Sequence, residues 1–459
     1  MRPRASTPAG ASGPARLVSA PSRPAGLLVR GARVLDPRTG IDGLYDILVR
    51  KGVIAEIGAT GTLGSPPDSV EVVDGNGRHM FPAFVDPHVH LRTPGQEHKE
   101  DLETGTRAAA AGGYCAVVAM PNTSPVVDSA PILNALLDAA AREARVPVGF
   151  TAAITRDLAG RDLTDMAELR ALGAAAFTDD GRPVADAGVF RRALQYQRLC
   201  GGVLALHEED PALSGAGAMH EGEVSALLGV AGIPSVSEST MIARDCALAE
   251  YERARIHIQH LSARESIDVI AAAKARGTQV TCEASPHHLT MTDEDVRGLD
   301  TRRKMNPPLR AEADRQALID GLRSGVVDCI ATDHAPHARD EKEVPFEQAP
   351  MGTTGLETAF ASVYTDLVVP GVLELGLVVE KLTAGLGLID LLVPRIAVGE
   401  PANLVLVDLD AEWTVGESGY ESRSENCCFA GRRLQGRVLL TVAAGAVAYR
   451  ERSIMLSAA

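Results

Sequence analysis

The sequence has no basic excess. Its 45 lysines and arginines face 60 aspartates and glutamates, giving a formal net charge of −15. A phosphate backbone or an anionic membrane surface requires a basic face, so neither nucleic acid nor membrane is the expected partner, and a small-molecule substrate fits better. There is no CxxC pair. The seven cysteines, Cys115, Cys200, Cys246, Cys282, Cys329, Cys427 and Cys428, lie mostly in apolar stretches and are too sparse for a disulfide framework. Reduced thiols of this kind point to a cytoplasmic protein. No apolar run approaches the ~18 to 20 residues that cross a bilayer. Residues 1 to 26 lack acids and lack the apolar core of a secretory signal, while holding four arginines among many Pro, Ala, Ser and Gly. They read as a disordered tail, with an organellar transit peptide as the alternative.

What is present is material for one large α/β unit and a smaller companion. From Leu27, short alternating apolar stretches (LLVRGARVLDP, YDILVRKGVIAEIGA) separated by Gly, Asp and Pro predict antiparallel strands with tight turns. The C-terminal stretches ANLVLVDLD, GRVLLTVAAG and AVAYR have the same character. Residues 27–81 and 393–459 are therefore expected to form one small β domain. Between residues 82 and 392, eight apolar strand candidates end near His90, Met120, Ile154, Thr178, His207, His260, Ser285 and Asp333, most followed by an Ala/Leu/Glu/Arg-rich helical stretch. Eight such units predict an α/β fold, a (β/α)8 TIM-like barrel whose site lies at the C-terminal mouth of the strands. A doubly wound open sheet is the alternative, but no GxGxxG turn follows the first strand.

The chemistry concentrates at those strand ends. In Asp86-Pro-His88-Val-His90-Leu-Arg92, the two-residue alternation of an extended chain points His88 and His90 the same way. An HxH pair alone is not a site. Ligand-type residues recur at four more strand ends, in FTDDG (Asp179, Asp180), LHEED (His207), QHLS (His260) and ATDHAPH (Asp333). Core packing does not account for charged groups gathered at strand ends, which need water or partners. Nitrogen and carboxylate donors without cysteine suit zinc, with manganese or cobalt as substitutes, and a pair of cations needs a bridging anion. The chain has six lysines and none from 100 to 273, which excludes a carboxylated lysine at strand four. An aspartate of the 179–180 pair must bridge, unless the site is mononuclear.

These motifs, with AMPNTSP, EASPHHL, KMNPPLR and APMGTTGLETAF, make the chain resemble the bacterial type I dihydroorotases of the amidohydrolase superfamily, in the aspartate-bridged branch, from about Leu27 to Arg450. The resemblance implies two zinc ions. His88 and His90 would hold one, with Asp333 close to it, His207 and His260 the second, and Asp180 would bridge, leaving Asp179 to support it. It places His90, Arg92, Asn122 and Asn306 on the substrate, with His337 and the backbone at Met351 and Gly352 closing over it. Arginine binds a carboxylate through a two-pronged fork, and asparagine amides both donate and accept.

The activity implied is reversible hydrolysis of dihydroorotate to N-carbamoyl-aspartate, a step of pyrimidine biosynthesis, with Asp333 as the catalytic proton shuttle. Hydantoinase, dihydropyrimidinase and allantoinase are the enzyme alternatives, and Arg92 argues for a substrate with a free carboxylate. A scaffolding subunit without catalysis is the other alternative, opposed by the complete set of six ligand candidates. The charged stretch 338–350 is expected to be a mobile cover over the substrate, with a plain solvated loop as the alternative. Expected partners are the substrate, a second copy of the chain, and aspartate carbamoyltransferase as a candidate associate.

Overall fold

The computed structural model describes residues 15–64 and 70–451. The centre is a closed barrel of parallel strands. Phe84–Val89 pairs Tyr114–Ala119, which pairs Val148–Phe150. Leu204–Leu206, Ile256–Ile258, Val280–Ala284 and Cys329–Ile330 follow in the same order. Two junctions close the ring through single bridges. Phe177 joins Ala152 on one side to Leu204 on the other, and His334 joins Val89. The expected eight strands are all there in order, the fourth shortened to Phe177. Every residue of Phe84–Val89 and Tyr114–Ala119 is buried. That is the condition of a parallel strand covered on both faces, and it is why Tyr114–Ala119 reads as an unbroken apolar run.

Helices cover the outside. Leu102–Ala111 begins at Asp101, whose carboxylate accepts from Thr104 N while the Thr104 hydroxyl answers the Asp101 N–H, a reciprocal capping box. Four of its six buried residues are alanine or glycine (Gly105, Ala108, Ala109 and Ala110), which lets it lie close to the barrel. It ends at Gly112-Gly113. A Cβ on Gly112 would sit 2.0 Å from Leu356 O, and Gly113 has φ +93°, so only glycine fits this approach.

Both ends of the chain build one eight-stranded sheet. Leu404–Thr414 pairs antiparallel with His79–Pro82, Leu404 opposite Pro82, and His79–Pro82 continues onto Leu27–Asp36. Leu27, Val29, Ile47, Met80, Leu404 and Leu440 form a hydrophobic core of their own beneath it, separate from that of the barrel. Among the described residues no helix is long and apolar enough to cross a membrane.

The tail reading of residues 1 to 26 requires a correction. Residues 1–14 lie outside the described residues, but from Ala15 onward the chain is laid along the molecule. Arg16 N donates to Gly173 O, Val18 exchanges hydrogen bonds with Val148, and Ala20 N donates to Ala144 O. Ala25 N donates to Gly445 O in the terminal sheet, and Ala15 is buried. A Pro-, Ala- and Ser-rich composition says that a segment cannot bury a core of its own. It does not say that free backbone donors and acceptors elsewhere will not fix it.

Candidate metal centre

Strand one turns sharply as it leaves the barrel. Asp86, fully buried, accepts from His88 N (3.1 Å), from Thr332 N and from the Thr332 hydroxyl, and so ties the first strand to the eighth. Burial pushes its carboxyl up to about 7 despite these donors. His90 N donates to His334 O on the same seam. Arg92, His260 and Asp333 all adopt left-handed backbone (φ +59°, +30° and +49°). Such positions cost of order 1–3 kcal/mol each in non-glycine residues and persist where surrounding structure over-determines them.

Six side chains from five barrel segments converge there, all buried. His88 Nε2 lies 3.6 Å from Asp180 Oδ1 and 3.5 Å from Asp333 Oδ1. His90 Nε2 lies 3.0 Å from Asp333 Oδ1 and 3.5 Å from Asp180 Oδ2. His207 Nδ1 and His260 Nε2 are 2.8 Å apart, each 3.8 Å from Asp180 Oδ1. One oxygen of Asp180 thus faces His88, His207 and His260, and the other faces His90. Asp179 turns away: Oδ1 accepts from Ile154 N and Thr155 N, and Oδ2 meets the Thr155 hydroxyl.

The tautomers follow from the outer partners. His88 Nδ1 meets Glu283 Oε1 at 2.6 Å, and His90 Nδ1 meets Asn122 Oδ1 at 2.9 Å. Both partners only accept, so the imidazoles donate there. In the neutral rings the Nε2 lone pairs then point at carboxylate oxygens, and His88 Nε2 has no hydrogen-bond partner. Lone pair against carboxylate is repulsive unless something positive lies between. His88, Asp180 and His260 form one group with ligand atoms within 4.8 Å of each other, and His88, His90 and Asp333 form a second. These buried clusters fit a binuclear metal site.

Without a cation, protons fill that role. Burial opposes a charge on His88, but Glu283, Asp333 and Asp180 outweigh it and hold the imidazolium well above the usual histidine range. His260 is raised too, its burial outweighed by the Asp180 hydrogen bond and by Asp333. Burial likewise opposes charge on Asp180, yet the bonds to His260 and His88 hold its carboxyl well below the usual range. His207 is lowered, by burial and by neighbouring His260.

The residues expected on the substrate come together beside this cluster. A cleft of about 240 Å³ is lined by Arg92, Asn122, Asn306, His337, Met351 and Gly352 along with His90, Asp180, His207, His260 and Asp333. Arg92 Nε donates to Pro336 O, which fixes the guanidinium in the cleft wall, and burial brings its pKa down to about 10. His337 Nε2 meets Met351 O at 2.8 Å. Asn306 Nδ2 reaches His207 Nε2 at 3.4 Å, leaving its Oδ1 buried without a partner. Asn122 has a second set of contacts. Its amide is already engaged, Oδ1 by His90 and Nδ2 by Asp180 Oδ2 at 3.0 Å, so it braces the cluster.

A family model described as Dihydro-orotase-like matches residues 77–266. The chain is 44% identical over 425 residues to a dihydroorotase of Citrifermentans bemidjiense, covering 92% of this chain and 99% of that one. It is 46% identical over 431 residues to a dihydroorotase of Anaeromyxobacter sp. (strain K), covering 93% and 98%. The chain belongs to the dihydroorotase family. Among solved structures, an L-hydantoinase (dihydropyrimidinase) from Arthrobacter aurescens superposes with a TM-score of 0.81 at 24% identity, covering 93% of this chain and 96% of that one. That likeness shows a shared α/β fold, a barrel with a sheet from segments near both chain ends.

For a dihydroorotase chain, the groups that sequence reasoning missed complete the picture. Glu283, inside the seventh strand, reaches His88 with Oε1 and His257 Nε2 with Oε2 at 3.0 Å, and its Oε1 also accepts from His260 N. His257 is held by Glu283 and by the Thr281 hydroxyl. His334 meets Glu100 through Nε2 and accepts from Gly355 N at Nδ1. The signal for Glu283 was an acid inside the apolar run VTCEA, whose partner stands 195 positions away.

Glu283→Gln removes the charged acceptor behind His88, and loss of such outer partners costs about 10- to 100-fold in metal affinity. Titration of the stripped protein with zinc should show that loss with unchanged circular dichroism. Protons and metal compete for the same nitrogens. Because His88 and His260 bind protons above the ordinary range, metal entry releases protons and weakens on acidification. Dialysis at about pH 5.5 should strip metal that is retained at about pH 7.5.

Proposed function

We propose that the chain is a zinc-dependent dihydroorotase that interconverts N-carbamoyl-L-aspartate and L-dihydroorotate in de novo pyrimidine (UMP) biosynthesis. The observation that carries the substrate choice is Arg92, an arginine fixed in the wall of the same cleft as the histidine–aspartate cluster. A carboxylate-bearing ring is the natural occupant of such a fork, while a neutral hydantoin or dihydrouracil ring has no use for it.

In this reading His88, His90 and Asp333 would hold one cation, His207 and His260 would hold the other, and Asp180 would serve both. No lysine is called on to carry the bridge. Zinc is the metal assigned, with manganese or cobalt as substitutes. Bound there, the pair supplies a water acidified toward about pKa 7 and a polarised carbonyl.

The chain's own residues do the rest. Arg92 and Asn306 take the ring carboxylate and amide edge. Gly352, through its backbone, and His337, anchored to Met351 O, cover the face away from the cluster. Burial opposes charge on Asp333, but His88 and His90 outweigh it and hold its carboxyl below the usual range. Ionised in this way, Asp333 would take up a proton from the attacking water and return it to the leaving ring nitrogen. Closure runs the same steps backwards and consumes one proton, because carbamoyl-aspartate carries one more carboxylate than dihydroorotate. Asn122, bonded to both His90 and Asp180, fixes the mutual orientation of two ligands. The enzyme is assigned to the cytoplasm as a homodimer, with aspartate carbamoyltransferase as the candidate associate.

Parallel assays with dihydroorotate, dihydrouracil, hydantoin and allantoin test the reading. Dihydroorotate should be the preferred ring, and Arg92→Met should raise its KM by about 10- to 100-fold, the worth of a charged hydrogen-bonding pair. Preference for an uncharged ring would overturn the assignment.

A further inference from the structure

The chain uses 39 arginines and only six lysines. Two of those six, Lys304 and Lys342, are buried behind the segments that carry Asn306 and Met351 into the cleft, and among the described residues neither has a carboxylate at ion-pair distance. An unpaired buried ammonium is costly unless hydrogen bonds satisfy it. Both are satisfied by backbone carbonyls, and in a reciprocal pattern.

Lys304 stands two residues before Asn306 and sends its ammonium across to Glu347 O (3.0 Å) and Ala349 O (2.8 Å), on the strip that leads to Met351 and Gly352. Lys342 begins that strip and sends its ammonium back to Thr301 O (3.0 Å), on the segment that leads to Asn306, and to Pro350 O (2.7 Å). The Thr301 hydroxyl donates to Lys342 O, and Gly352 N donates to Lys304 O. The Lys304 ammonium also lies 5.5 Å from the centre of the Phe346 ring, which is buried. The stretch 338–350, expected from its charge to be a mobile cover, is thus a short helix, Arg339–Lys342, followed by a strip fastened at several points.

We propose that Lys304 and Lys342 are positioning residues, a pair of ammonium clasps that lock the segment bearing Asn306 to the segment bearing Met351 and Gly352 and so hold the substrate wall in its binding shape. This rests on the function proposed above, since it takes those residues as substrate contacts.

The residue type fits the task. An ammonium is a compact charge with three rotatable donors, able to serve two carbonyls from different strips, whereas a guanidinium is a wide planar fork suited to carboxylates. That explains lysine at these places in a chain that otherwise chooses arginine. Burial, reinforced by the neighbouring Lys304, brings Lys342 down to about 7, so proximity of the two clasps is itself tolerated at a cost. Without a clasp the wall samples other shapes, and apparent affinity falls in proportion to the fraction still competent. The metal cluster sits on other segments and is left intact.

The test is steady-state kinetics on the zinc-loaded full chain and on Lys304→Met and Lys342→Met, with metal content and Tm measured alongside. The clasps predict a KM for dihydroorotate raised about fivefold or more, with kcat per bound metal changed less than about threefold. A merely structural role would lower Tm and the active fraction without moving KM. A smaller rise in KM, or a loss confined to kcat, overturns the proposal. If the methionine variants do not fold, Lys304→Arg and Lys342→Arg decide. They keep the charge, and the clasps predict that they too raise KM, while parental KM in both contradicts it. Absence of dihydroorotate turnover in the parent would instead count against the proposed function, so the two failures are distinguishable.

Discussion

Two buried carboxylates confronting four buried imidazoles at one end of the barrel are the constraint on which the rest of the molecule depends. Asp180 and Asp333 are buried, and so are the nitrogens that face them. A charge in that position is tolerable only when paired and hydrogen-bonded. The outer partners Glu283 and Asn122 orient His88 and His90 with lone pairs inward, which makes positive charge at the centre a structural requirement as well as a chemical resource.

The barrel meets this requirement by geometry. Its strands deliver side chains from distant parts of the chain to one mouth. The closing seam, with Asp86 against Thr332 and His90 N on His334 O, sets strand one and strand eight at the separation that lets His88, His90 and Asp333 meet. Left-handed backbone at His260 and Asp333 aims two of the converging side chains, and at Arg92 a cleft-lining one, at the point where each strand gives way to its loop. Strain of this kind is held by the surrounding sheet and helices, not by the loops themselves.

Much of this was legible in the sequence, for definite reasons. His88 and His90 declare themselves because strand periodicity puts alternate residues on one face. Asp180, His207, His260 and Asp333 stand out because each ends an apolar run where a charged or imidazole group has no packing use. Glu283 was not legible: its meaning comes from His88 and His257, and nothing local marks the long-range pairing. The fourth strand pairs only at Phe177, so its apolar run overstated its extent. Residues 15–26 misled because composition reports what a segment can bury by itself, whereas their backbone is bonded to Gly173, Val148, Ala144 and Gly445. The stretch 338–350 misled in the same way, its charges being visible and its fastening to the carbonyls near Asn306 not.

The most direct test of the account is anomalous diffraction at the zinc edge from crystals of the full chain grown with zinc. The account predicts two peaks, about 3.5–4 Å apart, with the Asp180 carboxylate between them. One flanked by His88 and His90, the other by His207 and His260, would complete the agreement. A single peak, or none with Asp180 and the histidines turned toward different surroundings, would contradict it.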